Sequence, residues 1–111
     1  FGNYALQCLI VNWDIKDLDE ILKNFIGKCS VLSVQKYSSN VIEKCIEKSP
    51  EFLKAFLNEC TTNNYFGIGV LMQNSFGNYV IQTVLKELPA NKDKENFIIG
   101  INQNLIVLCR I

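Results

Sequence analysis

Apolar residues recur at helical spacing along most of the chain, and short polar or proline-containing segments interrupt the pattern. In the stretch 17–25, for example, Leu18, Ile21, Leu22 and Phe25 would share one side of an amphipathic helix. The same pattern predicts helices, in chain order, over 1–11, 17–25, 28–35, 39–48, 50–59, 65–72, 78–88 and 92–102, followed by an apolar turn at 105–108. Apolar and polar residues never alternate for long enough to predict a strand, so the sequence predicts an all-α fold.

Capping and turn residues lie between the predicted helices. Asp14 or Asp17 is suited to cap the helix that follows it. Ser49 precedes Pro50, an order that favours a capped helix start with the proline in the first turn. The polar run 61–64 predicts a surface loop.

Three segments of the chain share one frame: an aromatic residue, a small residue, Asn or Ser, a planar side chain, two apolar residues, and then Gln or Glu. The copies are FGNYALQ at 1–7, YSSNVIE at 37–43 and FGNYVIQ at 76–82. Asn3 and Ser39 are 36 residues apart, and Ser39 and Asn78 are 39 residues apart. A period near forty residues is typical of a helical solenoid, in which repeats stack side by side.

The third, fourth and seventh residues of each copy would project from one helical face, because residues four apart lie one above the other. The pairs of hydrogen-bonding side chains are Asn3/Gln7, Ser39/Glu43 and Asn78/Gln82, and the flat side chains beside them are Tyr4, Asn40 and Tyr79. Each copy thus presents two polar tips and one flat group, a set that suits a single nucleobase. The two tyrosines would also fit ordinary half-buried sites, but the repeated polar pairs favour base contact.

The polar pairs differ in a way that distinguishes one base from another. Guanine presents two adjacent donors, N1–H and N2–H, and the two acceptor oxygens of Glu43, with Ser39 beside them, complement that edge. Uracil presents a carbonyl beside N3–H, and a carboxamide such as Gln7 or Gln82, with its asparagine partner, complements that arrangement. Single-stranded RNA is the natural partner, because its bases can be splayed onto such a surface and stacked on the flat side chains.

These three copies, and the stretch 27–45 in particular, resemble the RNA-reading repeats of the Pumilio (PUF) family. The resemblance implies a right-handed α-solenoid, a superhelix of three-helix repeats that read one base each, present here as a partial array. In that family the order of polar pairs seen here is typical of the last three repeats, which read a UGU core with the RNA antiparallel to the protein. The implied assignment is Asn78/Gln82 to the 5′ uracil, Ser39/Glu43 to the guanine and Asn3/Gln7 to the next uracil.

The resemblance also implies a division of the chain and a biological role. Residues 1–13 would end one repeat, 14–49 and 50–90 would form the next two, and 91–111 would be a truncated C-terminal capping segment. The implied function is binding to UGU-containing 3′ untranslated regions of messenger RNA in the cytoplasm, with repression or decay through protein co-repressors. The alternative is a protein-binding α-solenoid of the HEAT or armadillo type, which has no reason to repeat base-matched polar pairs in register.

The charges of the chain balance, with Lys and Arg numbering 11 and Asp and Glu also numbering 11. This balance argues against strong, sequence-blind binding to nucleic acid, which depends on basic surfaces. Lys36 and Lys44 lie next to the middle copy and are the candidate phosphate contacts. No apolar run approaches the ~20 residues that a membrane span needs, so we expect no membrane partner.

The sequence contains five cysteines and no histidine. Without a CxxC pair or a histidine, an ordinary zinc site is not expected, and the wide spacing among apolar residues favours free, mostly buried thiols in a reducing compartment. No cofactor is expected either. The sequence shows no phosphate-cradling glycine loop and no paired acidic site, so we do not expect an enzyme.

Two expectations concern packing. The aromatic residues that open the three copies should anchor the core: Phe1, Tyr37 and Phe76. Solenoid repeats bury their faces against neighbours, so apolar residues near the start of the chain should be exposed: Leu6, Leu9 and Ile10. We therefore expect this end to promote self-association, including domain exchange.

Overall fold

The computed structural model of this chain describes residues 2–62 and 67–109, and it describes the side chains of 4–14, 16–60 and 67–104. Within these ranges the chain forms α-helices and no strand, so the predicted all-α class is confirmed. The helices are α1 (Gly2–Asn12), α2 (Ile15–Lys23), α3 (Cys29–Ser33), α4 (Ser38–Lys48), α5 (Pro50–Thr62), α6 (Ile68–Gln73), α7 (Gly77–Glu87) and α8 (Lys92–Cys109).

The helices that carry the three copies of the frame, α1, α4 and α7, lie in one row, with α4 between the other two. The short helix α3 packs against α4, and the short helix α6 packs in the same way against α7. Helix α5 contacts both α3 and α4, and α8 contacts α6. Equivalent helices therefore meet equivalent neighbours, which is the arrangement of an α-solenoid, and the whole measures 44 × 31 × 21 Å.

One hydrophobic core extends from Ile10 on α1, through the row, to Phe97 on α8 beyond it. Helix α4 contributes apolar residues at spacings of one, three and four, which is one helical face. Its buried apolar residues are Val41, Ile42, Cys45 and Ile46, and those of α7 are Val80, Ile81 and Val84. Each large side chain buried in this way contributes roughly 1.5–3 kcal/mol to stability, so neighbouring repeats stabilise one another.

Two predicted helix ends are wrong. Helix α5 continues through Thr61 and Thr62, where a loop was predicted, and residues 63–64 lie outside the described part of the chain. Threonine lowers helix propensity only slightly, and neither glycine nor proline occurs between Pro50 and Gly67 to stop the helix. Helix α8 likewise runs without a break through 105–108, the segment predicted as a separate turn.

The helix starts partly follow the predicted capping. The Ser49 hydroxyl accepts a hydrogen bond from the Phe52 backbone N–H at 3.1 Å, and Pro50 is the first residue of α5, so this predicted cap is confirmed. Asp14 precedes α2 with extended backbone, but its side chain makes no capping hydrogen bond among the described contacts. Gly27, with φ +89°, turns the chain between α2 and α3 in the left-handed region that glycine favours.

Two expectations about packing are also wrong. Ile10 is fully buried rather than exposed, and Leu6 and Leu9 are partly buried against the core, because α4 packs along α1. About half of the Tyr37 surface is exposed to solvent, so this side chain does not anchor the core. Phe76 is partly buried, and Phe1 lies outside the described residues. Self-association through this end stays a prediction.

Gly77 begins α7 at the point where α6 comes closest. A Cβ placed on Gly77 would lie 2.9 Å from the Leu71 carbonyl oxygen, a contact with backbone that cannot swing away. In the preceding repeat the equivalent residue is Ser38, which has a Cβ, and its hydroxyl donates to the Leu32 carbonyl at 2.7 Å. The two helix pairs therefore differ in spacing, and only the second requires glycine.

We expect Gly77→Ala to lower the free energy of unfolding by about 1–3 kcal/mol, because the added methyl group forces α6 and α7 apart. Urea unfolding followed by circular dichroism measures the change. Gly100→Ala is the matched control, since a Cβ there meets the end of the flexible Ile68 side chain at 3.0 Å. Equal losses in both variants would contradict the role of the close backbone contact.

Candidate nucleic-acid interface

Hydrogen bonds between neighbouring helices show that the three copies of the frame stack in register. The Thr83 hydroxyl on α7 donates to Glu43 Oε1 on α4 at 2.7 Å. The Lys48 ammonium on α4 donates to the Val11 carbonyl on α1 at 3.2 Å. The equivalent of Glu43 on α7 is Gln82, and Thr83 is the next residue; the equivalent of Val11 on α4 is Glu47, and Lys48 is the next residue. The offset between the bonded residues is therefore the same at both junctions.

The flat side chains of the frame are available to a ligand. Tyr4 is 68% exposed and Tyr79 is 56% exposed, high values for side chains of this size, and Asn40 between them is exposed as well. Gln82 is exposed, and Gln7 is partly exposed. The backbone of Asn3 belongs to α1, but its side chain lies outside the described residues.

On α7 the two amide side chains of the frame are already joined. Gln82 Nε2 donates to Asn78 Oδ1 at 3.1 Å. Asn78 Nδ2 in turn donates to the carbonyls of Asn74 at 2.8 Å and Ser75 at 3.1 Å. Both N–H groups of Asn78 are thus directed at the backbone, while Gln82 keeps one N–H and its carbonyl oxygen for a ligand. In this arrangement Gln82 presents the polar edge and Asn78 holds it.

On α4 the two polar side chains of the frame differ sharply in exposure. Ser39 is only 3% exposed, and its hydroxyl donates to the Lys36 carbonyl at 3.3 Å, three residues back, as Asn78 does to Ser75. Glu43 is partly exposed and accepts the hydrogen bond from Thr83. A base lying on this surface would meet Ser39 over very little area, so the carboxylate of Glu43 is the main polar feature here.

The lysines proposed as phosphate contacts already have partners. Lys44 Nζ lies 3.7 Å from Glu47 Oε2, and both side chains are about a third exposed. Lys36 is exposed, and its Nζ lies 5.3 Å from the centroid of the Tyr37 ring, within the range of a cation–π contact. Partly exposed pairs of this kind contribute about 0–1 kcal/mol, so either ammonium group can exchange its partner for a phosphate at low cost.

Of the four cysteines whose side chains the structure describes, three lie in the core and not on the face that carries the frame. Cys29, Cys45 and Cys60 are free and buried, as predicted, and Cys8 is free and exposed. Burial raises the pKa of Cys45 to about 12, and burial together with the charge of Glu59 raises the pKa of Cys60 to about 12. Burial, followed by the charge of Glu59, raises the pKa of Cys29 as well. These thiols therefore stay protonated and unreactive at neutral pH.

The part of the chain that the structure describes contains no group of three or more Cys, Asp or Glu residues placed to hold a metal ion. A search of the same residues for a helix with the length and apolar character of a membrane span also finds none.

Comparison with known proteins agrees with the stacking of α1, α4 and α7. The model of the Pumilio-family RNA binding repeat matches residues 28–59 and 68–98, more than half of the chain. This chain belongs to the Pumilio family. Both matched segments include a copy of the frame, at 37–43 and 76–82, together with the short helix before it.

Several Pumilio relatives are similar over most of this chain. Pumilio homolog 12 of Arabidopsis thaliana is 38% identical over 95 residues, which cover 82% of the chain and 15% of the relative. A Pumilio domain-containing protein of Schizosaccharomyces pombe is 40% identical over 86 residues, or 77% of the chain and 12% of the relative. The chain therefore spans only a small part of the length of the curated relatives that it matches.

A solved structure of another Pumilio protein has the same fold. The crystal structure of PUF-8 in complex with PBE-RNA superimposes with a TM-score of 0.82 and 25% sequence identity, over 97% of this chain and 32% of PUF-8. The predicted α-solenoid of Pumilio repeats is thereby confirmed.

Sequence reasoning missed the residues that hold the frame in place. Thr83 follows the frame directly, but its equivalents are Cys8 and Lys44, so no repeated residue type marks that position. Asn74 accepts hydrogen bonds from the backbone N–H groups of Phe76 at 2.8 Å and Gly77 at 2.9 Å, and so caps α7. An Asn four residues before the predicted helix start at 78 was the signal that could have identified this cap.

Proposed function

We propose that this chain binds single-stranded RNA along the row formed by α1, α4 and α7, with one base per helix. The registered stacking of the three copies is the observation that carries the proposal, because it sets the exposed flat and polar side chains at regular intervals. Membership of a family of RNA binding repeats and the likeness to PUF-8, which was crystallised with RNA, support it. The two complete repeats would be α2–α4 and α5–α7, within 14–49 and 50–90.

The bases proposed are uracil, guanine and uracil, in 5′ to 3′ order along α7, α4 and α1. Glu43 supplies two acceptor oxygens for the two donors of guanine, and Asn40 flanks the base. Ser39, which is buried, contributes mainly by being small enough to let the base approach. Gln82, held by Asn78, and Gln7, with Asn3, present an amide edge to uracil, and Tyr79 and Tyr4 stack on the base faces. Lys36 and Lys44 are the proposed phosphate contacts.

At the level of the whole protein, we propose a regulator of messenger RNA. Binding to UGU-containing 3′ untranslated regions in the cytoplasm, with recruitment of protein co-repressors, would repress translation or promote decay. No step of this role requires catalysis by the chain.

A titration with labelled RNA tests the proposal. A short fluorescent RNA containing UGU should bind more tightly than the same RNA with ACA in its place, measured by anisotropy at about 0.15 M salt. Each correctly matched base should contribute about 1–3 kcal/mol of discrimination, so the two affinities should differ by tenfold or more. Equal affinities for both RNAs would overturn the proposed base reading and favour a protein-binding scaffold.

We expect Tyr79→Ala to weaken binding of the UGU RNA by about 1–3 kcal/mol, because the stacking surface for one base is lost. The ratio of affinities for UGU and for its G-to-U variant should not change, since a ring face does not distinguish bases. Anisotropy titration with both RNAs measures the affinity and the ratio. Trp13→Ala is the matched control, because Trp13 is 51% exposed and lies in the turn after α1, outside the frame. A similar loss in the control would contradict stacking on Tyr79.

A further inference from the structure

A hydroxyl group from the neighbouring repeat contacts the carboxylate proposed to read guanine. Thr83 lies on α7, immediately after the frame of that helix, and Glu43 lies on α4, 40 residues earlier in the chain. Thr83 Oγ1 and Glu43 Oε1 are 2.7 Å apart, the distance of a charge-assisted hydrogen bond from a hydroxyl to a carboxylate. Thr83 is buried and Glu43 is partly exposed, so the contact stands at the inner edge of the surface.

The direction of this hydrogen bond follows from the acceptors around the hydroxyl. Thr83 Oγ1 also lies 3.1 Å from the carbonyl oxygen of Tyr79, one helical turn back. A carboxylate and a carbonyl both only accept, so the single hydroxyl proton of Thr83 must serve them. It points mainly at Glu43, the shorter and charged partner, and the Tyr79 carbonyl takes the weaker share.

We infer that Thr83 is a positioning residue that sets the guanine preference of Glu43. This inference rests on the proposed RNA-binding function and adds a specificity determinant to it. A glutamate side chain on a surface has several accessible rotamers, and fixing one of them costs conformational entropy. Thr83 holds Oε1 before the base binds, which leaves Oε2 and the second lone pair of Oε1 to accept from the base.

A fixed carboxylate discriminates between bases better than a mobile one. Guanine offers two donors to the two carboxylate oxygens. Uracil has carbonyl acceptors beside its single N–H, and the carboxylate oxygens repel these carbonyls. A carboxylate free to turn away would escape that repulsion and would bind guanine less well. Loss of Thr83 should therefore lower the affinity for guanine and raise the affinity for uracil, so that the two affinities become more alike.

Of the three residues that directly follow a copy of the frame, only Thr83, at the junction of α4 and α7, carries a hydroxyl group. At the junction of α1 and α4, the residue equivalent to Thr83 is Lys44. The residue equivalent to Glu43 is Gln7, whose side chain is an amide. Glu43 is the one carboxylate among the three copies, and it is also the one whose partner on the next helix is a threonine. Thr83 also follows Gln82 directly, so it links the site for the central base to the site for the 5′ base.

Replacement of the hydroxyl by a methyl group tests the inference. We expect Thr83→Val to lower the ratio of affinities for UGU RNA over UUU RNA by about five- to tenfold, in line with loss of a hydrogen bond to a charged group. Thr83→Ser keeps the hydroxyl and should retain the ratio within about twofold. Ser33→Ala is the matched control: Ser33 is buried on α3 and its hydroxyl donates to the Cys29 carbonyl at 2.6 Å, away from the frame. It should lower stability without changing the ratio.

The outcomes separate this inference from the proposed function. If the unchanged chain prefers UGU over UUU and Thr83→Val keeps the same ratio, Thr83 does not position Glu43, and RNA reading stands. If the unchanged chain shows no preference, the proposed function fails and this inference fails with it. Thermal melts of each variant, followed by circular dichroism, establish that the ratios are measured on folded protein.

Discussion

The variant Ser39→Asn/Glu43→Gln should prefer uracil to guanine at the central position of the RNA. The two changes give α4 the polar pair that α7 already has in Asn78 and Gln82. We expect the affinity for UUU RNA to exceed that for UGU RNA by about 1–3 kcal/mol, a reversal of the preference of the unchanged chain. Anisotropy titration with the two RNAs measures this reversal directly.

The structure of α7 explains why both changes are needed. Asn78 donates to the Ser75 carbonyl three residues back and accepts from Gln82, and these contacts fix the glutamine amide. Ser39 already donates to the Lys36 carbonyl in the equivalent place, so an asparagine at 39 has the same backbone acceptor within reach. Glu43→Gln alone would keep the Thr83 hydroxyl as a donor to its amide oxygen but would lack the asparagine oxygen that accepts from the amide NH₂ group on α7. We therefore expect the single variant to lose guanine preference without gaining a strong preference for uracil.

The reciprocal variant provides the control. Asn78→Ser/Gln82→Glu should change the preferred 5′ base from uracil to guanine and leave the central base unaffected. If both double variants kept the base preferences of the unchanged chain, the polar pairs would not read bases, and the assignment of Glu43 and Gln82 would be wrong.

Glu59→Gln should cause a large loss of stability. The Glu59 carboxylate on α5 accepts hydrogen bonds at the start of α3: from the Ser30 backbone N–H at 2.7 Å, the Ser30 hydroxyl at 2.7 Å and the Cys29 backbone N–H at 3.3 Å. The N–H groups of a helix start have no partner within the helix, and a negative charge is favoured there. A glutamine would turn its NH₂ group toward one of these donors, so at least one partly buried hydrogen bond is lost.

We expect this substitution to lower the free energy of unfolding by about 1.5–3 kcal/mol, the value typical of hydrogen bonds to charged groups. For a domain of this size the melting temperature should fall by roughly 10 °C, measured by circular dichroism. Glu20→Gln is the matched control, because the Glu20 side chain is 89% exposed and forms a surface ion pair with Lys23 at 3.7 Å. That change should cost less than about 1 kcal/mol. Equal effects of the two substitutions would show that Glu59 does not cap α3.

The fold was predictable where local sequence decides the structure. The helical spacing of apolar residues identified the faces of α4 and α7, and the Ser49–Pro50 pair identified the start of α5. The frame itself placed α1, α4 and α7 in one row, because equivalent helices with the same buried side pack in the same way.

The contacts between repeats were not predictable, because they join residues far apart in sequence. Glu59 reaches Ser30 from 29 residues away, and Thr83 reaches Glu43 from 40 residues away. The burial of Ser39 and Ile10 likewise depends on the neighbouring helices and not on the segment that contains them. Spacing within one helix shows which side chains share a face, but the helix beside it decides how deeply each one lies.

The equal offset of the hydrogen bonds at the two junctions means that the step from α1 to α4 has the same register as the step from α4 to α7. Displacements along a row accumulate, so a shift at the first junction would move both α4 and α7 relative to α1, whereas a shift at the second would move α7 alone. Loss of the Lys48 contact should therefore disturb the spacing of all three proposed base sites, and loss of the Thr83 contact should disturb only the site on α7 relative to the other two.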